Sequence, residues 1–451
     1  MPTNSPETSA TNDGNDTTND DSEHRLERPM FHLDVLDDLV YEASGDVEGA
    51  VPLASDPDHR YPYAYPRDIA CITRAWLAAI RSGIDLDRSR RHIVDAARFH
   101  IAVQGGDGAW QQRYALGGTD KGIYIQEDNV AHGLRVISHA VFALDGTDSW
   151  SDVDDDFAAD VVDAIGRAVE YTRDELYDPN AHLVESTTSI HEGPIESGYT
   201  LWVNAAYVSA LRQAERALSV LDAADTDVAS RIAAFRPTLE GGVERAFTSP
   251  QQVPRRYTPE GELDFRPDVT LFSPYYFGLS DLFGDAADEA ARRAATALED
   301  PRLGGLQRFL GFYRNFDVHQ HGGNGPWMQY TAWHAQYRYD CGEDERGDEI
   351  LQNIVSYADD DGHIPEHLTT RARFESFVEN EWDTGLDFEK EFDETVLRDV
   401  SFDLIAEELG HMRDSYQSIA DRVEANDVVG FARPLAWSHA EFLTALIRSE
   451  E

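Results

Sequence analysis

The chain has 451 residues and a formal charge of −47, from 38 Lys plus Arg against 85 Asp plus Glu, and Lys121 and Lys390 are its only lysines. Such a balance argues against nucleic acid and anionic membrane as partners, since both need basic patches. It is the surface of a protein that stays hydrated where salt screens charge, so a halophilic-type cytoplasm is expected.

Residues 1–28 are rich in Thr, Asn, Asp and Ser, with no apolar core and no basic start, and read as a disordered acidic tail rather than a leader or anchor. No later stretch is apolar for long enough to span a bilayer. The only cysteines, Cys71 and Cys341, are expected as reduced, buried and inert thiols.

From about residue 30 onward the period is helical. Ile69, Ile72, Ala75, Trp76 and Ala79 fall on one face after Arg67-Asp68. The same spacing recurs over 88–104, 128–145, 155–176, 200–222 and 227–247, then over 285–299, 327–340, 344–358 and 434–449. Few strands stand out, so the fold class is all-α. No Pro- or Ser/Gly-rich linker interrupts 29–451, which favours one large domain. Phe402, Ile405, Leu409, Met412, Tyr416, Ile419 and Val423 alternate three and four apart and make a long amphipathic helix. Packing within the chain is expected of it, and pairing with a second subunit is the alternative.

Function should sit in the long connectors between helices. Tyr61-Pro-Tyr63-Ala-Tyr65-Pro66-Arg67-Asp68 suits a sugar pocket: rings stack on pyranose faces while Arg and Asp hold hydroxyls. Its bland reading is a helix start with Asp68 as first-turn acid. Gly105-Gly-Asp-Gly-Ala-Trp110-Gln-Gln-Arg113-Tyr114, leading to Gln126-Glu127-Asp128, has the same chemistry and matches no phosphate-loop spacing. Ser189-Ile190-His191-Glu192 and Asp361-Gly362-His363-Ile364-Pro365-Glu366 each offer a carboxylate. Glycosidic cleavage needs two: one that keeps its proton at neutral pH, favoured by burial and neighbouring acids, and one that activates water. Gly304-Gly305 leads to Arg308, then to His319, His321, Asn324 and Trp327; a His-x-His pair without a third ligand is a weak metal signal, and no metal or cofactor is expected. In Pro434-Leu-Ala-Trp437-Ser438-His439-Ala-Glu441, Pro434 is expected to open the last helix. Ser438 and His439 point about 100° apart on a helix, which rules out a hydrolase triad.

Taken in this order, the segments resemble the family-15 glycoside hydrolases, the glucoamylase family with its trehalase and glucodextranase relatives. DGHIPEH followed by PLAWSHAE carries most of the likeness, which spans roughly residues 45–450. The resemblance implies an (α/α)6 barrel of the six-hairpin glycosidase type, with the active site at one mouth. It implies Glu192 as general acid and Glu366 as general base of an inverting reaction that releases glucose from the non-reducing ends of α-linked glucans. By match, Arg67, Asp68 and Arg308 hold the terminal sugar, with Tyr61 and Tyr65 lining the subsite. Gln126 and Asp128 match binding positions, and Trp110 and Trp327 are expected to wall the pocket. Three departures stand out: His191 replaces the usual Trp, no β-sandwich precedes the barrel, and 370–430 is a helical insertion. Trehalose hydrolysis by the same residues stays open. So does a non-catalytic carbohydrate-binding barrel, although the presence of both Glu192 and Glu366 weighs against it. Oligomeric state is not legible.

Overall fold

A computed structural model describes residues 28–450 apart from 46, 48, 56–60, 147–155, 193–195, 249–251, 311–324 and 381–397, and apart from the side chains of 377–380, 402, 409, 412, 413, 415 and 416. The acidic tail before residue 28, His319, His321 and Asn324, and the middle of 370–430 therefore lie outside the described residues.

The periodicity yields helices wherever it was read. They are α1 (Pro29–Asp38), α2 (Pro66–Arg81), α3 (Leu86–Val103), α4 (Asp128–Leu144), α5 (Phe157–Tyr171), α6 (Leu201–Val220) and α7 (Asp227–Phe247). Next come α8 (Asp285–Leu298), α9 (Met328–Asp340), α10 (Asp344–Val355), α11 (Arg371–Asn380), α12 (Phe402–Ala425) and α13 (Ala436–Ser449). No described helix is long and apolar enough to cross a membrane.

Six of these elements close an inner ring. α2 packs on α4, α4 on α6, α6 on the short helical turns Val269–Phe272 and Ser273–Tyr276, and α9 on α13, which returns to α2. Phe272 against Tyr337, and Tyr276 against Trp333, join the short turns to α9. Outside the ring, α3 covers α2 and α4, α7 covers α6, α8 covers the Val269–Phe272 turn, α10 covers α9 and α1 covers α13. This is the all-α six-hairpin barrel, with the fourth inner helix broken into short turns. The inner helices are buried almost all round; α4 has 16 buried residues of 17. A helix apolar on a single stripe cannot occupy such a position.

Small residues and rings fill the axis. Trp202 of α6 stacks on Trp333 of α9 (5.6 Å, 16°) and on Tyr276 (5.7 Å, 27°). Burial of these rings is a large part of the apolar area removed from water. Strands are short pairs in the connectors. One of them, Leu368–Thr370 against Val428–Gly430, forms the root of α11 and α12. α12 packs within the chain: Ile419 and Val423 bury against Phe374, Val429 and Phe431.

Three local expectations are corrected. Pro434 does not open the last helix; it follows a cis Arg433–Pro434 bond, and α13 starts at Ala436. Cys71 is buried beside the Tyr276 hydroxyl (2.9 Å), but Cys341 lies exposed just past the end of α9. Trp110 is buried in the core. The Gly-rich loop turns it inward, where Nε1 donates to the His100 carbonyl (2.8 Å) and the ring presses on α4 at Gly133. A Cβ on Gly133 would fall 2.5 Å from ring atoms of Trp110. Gly133→Val is therefore expected to cost roughly 2–3 kcal/mol by overpacking. Gly410→Ala on α12, where nothing lies within 4 Å, is expected to gain about 0.5–1 kcal/mol from helix propensity. Denaturant midpoints of the two variants check this contrast.

Candidate active site

At the end of the barrel where the inner helices begin, the connectors surround a cleft. Its wall includes Tyr61, Tyr65, Arg67, Asp68, Glu192, Arg308, Trp327 and Glu366. Eight residues picked from five separate stretches of sequence are thus brought to one surface.

α2 supplies the floor. Pro66 at its first position fixes the helical φ, and Asp68 in its first turn meets the positive end of the helix dipole. The helix-start reading and the pocket reading are therefore both true of Arg67-Asp68. Asp68 is buried, and its carboxyl is pushed up to about 7. Burial is the main cause; Arg67 and Arg308 oppose it, while Glu366 and Glu192 add to it. Arg67 is buried too, and its guanidinium touches the Ser189 carbonyl (3.3 Å), Asp128 (3.7 Å) and Glu192 (3.5 Å).

The Glu192 loop is held by another acid. Glu196, with no exposed surface, accepts from the backbone N–H groups of Ser189 (2.7 Å), His191 (2.8 Å) and Glu192 (3.1 Å). One carboxylate thus gathers three backbone donors, and Glu192 takes a φ of 56°, a left-handed conformation that an unsupported Glu rarely adopts. Gln126 Nε2 donates to Glu192 Oε1 (2.9 Å).

His191 has a defined task. Arg308 Nε–H donates to His191 Nδ1 (3.0 Å), which leaves the ring proton on Nε2, facing Asp268 Oδ2 (3.1 Å). Burial pushes the imidazole pKa down, so His191 stays neutral. Burial opposes ionisation of Asp268, but Arg255 (2.5 Å) and His191 outweigh it and hold the carboxyl well below the usual range. The chain Arg255–Asp268–His191–Arg308 aims the last guanidinium at the cleft, where it also lies 4.8 Å over the Trp327 ring.

Glu366 sits on a turn fastened from several sides. Its N–H donates to the Phe431 carbonyl (2.8 Å) and its own carbonyl accepts from Met328 N–H (2.9 Å). Tyr61 donates its hydroxyl to Oε2 (3.1 Å). Ser438 donates to the Pro365 carbonyl (2.9 Å), and Ile364 N–H donates to His439 Nε2 (2.9 Å). The Ser-His pair that makes no triad thus fixes this turn. Trp327, His367 and Phe431 stack behind it (4.4 and 4.1 Å).

Gln126 and Asp128 were expected to bind substrate, and the structure places both behind the wall. Asp128 is fully buried at the start of α4, where it accepts from Trp202 Nε1 (2.9 Å) and faces Arg67. Gln126 bonds Glu192 and the Ser189 carbonyl. Neither is among the residues that line the cleft.

Other wall residues escaped the sequence reading. Gln329 and Tyr330 come from the first turn of α9, Trp437 from that of α13, and Arg113 from the Gly-rich loop. Gln329 Nε2 is buried with no hydrogen-bond partner among the described residues, a donor ready for a ligand. Glu408 arrives from α12 and pairs with Arg113 (2.6 Å), while its neighbour Glu407 accepts from Tyr63 (2.8 Å) and pairs with Lys121 (2.9 Å). Arg113 and Trp437 stood in segments already singled out. Glu408 had no signal at all among so many acids.

No family model and no curated protein matches the sequence. Solved structures do match. A glycosidase in complex with glucose is 16% identical with a TM-score of 0.58, over 97% of this chain and 99% of that one. The glucoamylase of Saccharomycopsis fibuligera is 15% identical with a TM-score of 0.55, over 95% of both chains. This chain has the fold of the glucoamylase-type glycosidases. A metal-independent alpha-mannosidase of Streptococcus pneumoniae shares it at 12% identity and a TM-score of 0.56, over 88% of this chain and 95% of that one.

A carboxyl raised by the fold stabilises the native state only while protonated. Asp68 titrates near 3.8 unfolded and about 7 folded. Between those values the native state binds more protons, so Asp68 makes stability fall as pH rises from about 4 to 7. Asp68→Asn removes that cost. Its stability relative to wild type should climb across this window and level off above it, as read from denaturant midpoints at pH 4.5, 6 and 8.

Proposed function

We propose that this protein is a glycoside hydrolase that removes terminal glucose from α-linked glucosides with inversion at the anomeric carbon. The observation that carries the reading is that Glu192 and Glu366, from loops 174 positions apart in sequence, face one cleft with Arg67, Asp68 and Arg308 on its wall. The glycosidase fold supports it.

The chemistry follows from the contacts. Gln126 and Arg67 hold Glu192 by Oε1, which leaves Oε2 to protonate the glycosidic oxygen as the bond to the anomeric carbon breaks. Glu366, steadied by Tyr61, takes a proton from water as the water oxygen attacks from the opposite face. Between them Asp68 accepts from sugar hydroxyls, while Arg308 and Gln329 donate to them; the rings of Tyr61, Trp327 and Trp437 supply apolar surface. Positive charge developing on the sugar in the transition state is matched by Asp68 and the two glutamates.

Maltodextrin or glycogen ends are the substrates proposed, and trehalose is the alternative within the same reaction. α12 sets Glu408 on the wall, adding a carboxylate that the connectors of the barrel itself do not supply. The segment 370–430 is proposed as an insertion that shapes the cleft.

Proton NMR of the full chain in multimolar KCl, with maltooligosaccharides and trehalose in parallel, tests this. β-Glucose is expected to appear first, before mutarotation. Glu366→Gln should lower kcat by at least about 10³-fold, within the range for losing an activating base, with glucose binding by calorimetry little changed. Retained α-glucose would overturn inversion. Binding of sugar without turnover in the wild type would leave a carbohydrate-binding barrel.

A further inference from the structure

A second cavity, of about 510 Å³, opens at the other end of the barrel, among the C-terminal halves of α2, α4, α6 and α13 and the Tyr275–Gly278 turn. Six arginines line it: Arg74, Arg81, Arg135, Arg212, Arg216 and Arg448. Among the described residues no Asp or Glu lines it, in a chain where acids outnumber Lys plus Arg by 85 to 38.

Three of the six have carboxylate partners set back from the cavity. Arg74 pairs with Glu441, Arg212 with Glu240 (2.7 Å) and Asp281 (2.8 Å), and Arg448 with Asp340 (2.5 Å). Arg81, Arg135 and Arg216 form no ion pair among the described residues. Arg135 is buried in the middle of α4; Nη1 donates to His132 Nδ1 (3.3 Å), Nε has no hydrogen-bond partner among the described residues, and the guanidinium lies 5.6 and 5.1 Å from the rings of Tyr276 and Phe277. Arg81 and Arg216 are exposed, and Arg216 lies 4.8 Å over Phe142. Burial and the nearby charge of Arg216 push the Arg81 pKa down, and His139 on the same wall is kept neutral by burial and by Arg135, Arg81 and Arg74. Dipole compensation explains Arg81 and Arg448, which occupy the last turns of α2 and α13. It does not explain Arg135, the eighth residue of a 17-residue helix, nor why all three guanidiniums without an ion pair share one cavity.

We propose that this cavity binds a phosphate dianion, either the free ion or the monoester of a sugar-sized alcohol, with Arg81 and Arg216 at its mouth and Arg135 at its floor. Guanidinium forks match phosphate oxygens two at a time, and three guanidiniums lining one cavity suit a tetrahedral dianion. The field of the whole protein repels anions, so only a local excess of positive charge can hold one here. Phe142, Tyr275 and Phe277 give an attached carbon skeleton an apolar wall.

Calorimetric titration of the full chain tests this, at the lowest KCl that keeps it folded and at constant ionic strength. Inorganic phosphate and glucose 1-phosphate are the probes. Saturable one-to-one binding is expected, weakened at least tenfold in Arg81→Gln/Arg216→Gln, whose changes lie on exposed side chains, and unaltered in Arg173→Gln, on the surface elsewhere. Tenfold tighter binding of the ester would make the ester the ligand; equal binding would make it the free ion. The site is disproved if phosphate gives no more heat than KCl, or if the double variant binds as the wild type does. Neither readout depends on sugar cleavage.

Discussion

The cleft is organised around one buried guanidinium. Arg67 leaves the first turn of α2 and meets Asp128 at the start of α4, the Ser189 carbonyl and Glu192 on the connector before α6, and the Trp437 ring from α13 at 5.7 Å. Four elements that share no sequence neighbourhood are thereby tied at the end where three of them begin. A buried charge is tolerable only with such partners, and its partners become hard to move because it is buried. Asp128 shows the effect: burial opposes its ionisation, yet His132 and Arg67 keep its carboxyl low. Glu192 is therefore positioned by ionic contacts inside the barrel as much as by its own loop.

The parts of the fold that were legible are those with a period. α2, α4, α6, α9 and α13 announce themselves because buried helices repeat apolar and small residues over many turns. The fourth inner element did not, because Val269–Phe272, Ser273–Tyr276 and Ser280–Phe283 are each too short to carry a period. Most of the cleft was legible through clustered Tyr, Arg, Asp and Glu at helix starts. Trp110 misled because an aromatic in a Gly-rich loop looks exposed, while here the loop folds back and Gly133 leaves room for the ring. Asp128 and Gln126 could not be told from wall residues in sequence, because side chains that bond a wall group carry the same polar character as the group itself. Glu408 was invisible because its meaning comes from docking a distant helix on Arg113, and sequence carries no trace of that contact.

The two ends of the barrel differ in sign. Where the inner helices begin, carboxylates of Asp68, Glu192, Glu366 and Glu408 face the cleft, and helix dipoles favour acids there. Toward the other end six arginines gather, and of these Arg81 and Arg448 lie in last turns, where the same dipoles favour cations.

The strand pair Leu368–Thr370 with Val428–Gly430 begins two residues after Glu366, and at its edge Phe431 N–H donates to the His367 carbonyl (2.9 Å) while its own carbonyl accepts from Glu366 N–H (2.8 Å). The root of α11 and α12 and the footing of Glu366 are therefore one ladder. Through it α12, docked on Arg113 and Tyr63 by Glu408 and Glu407, and the Glu366 turn share one strand edge.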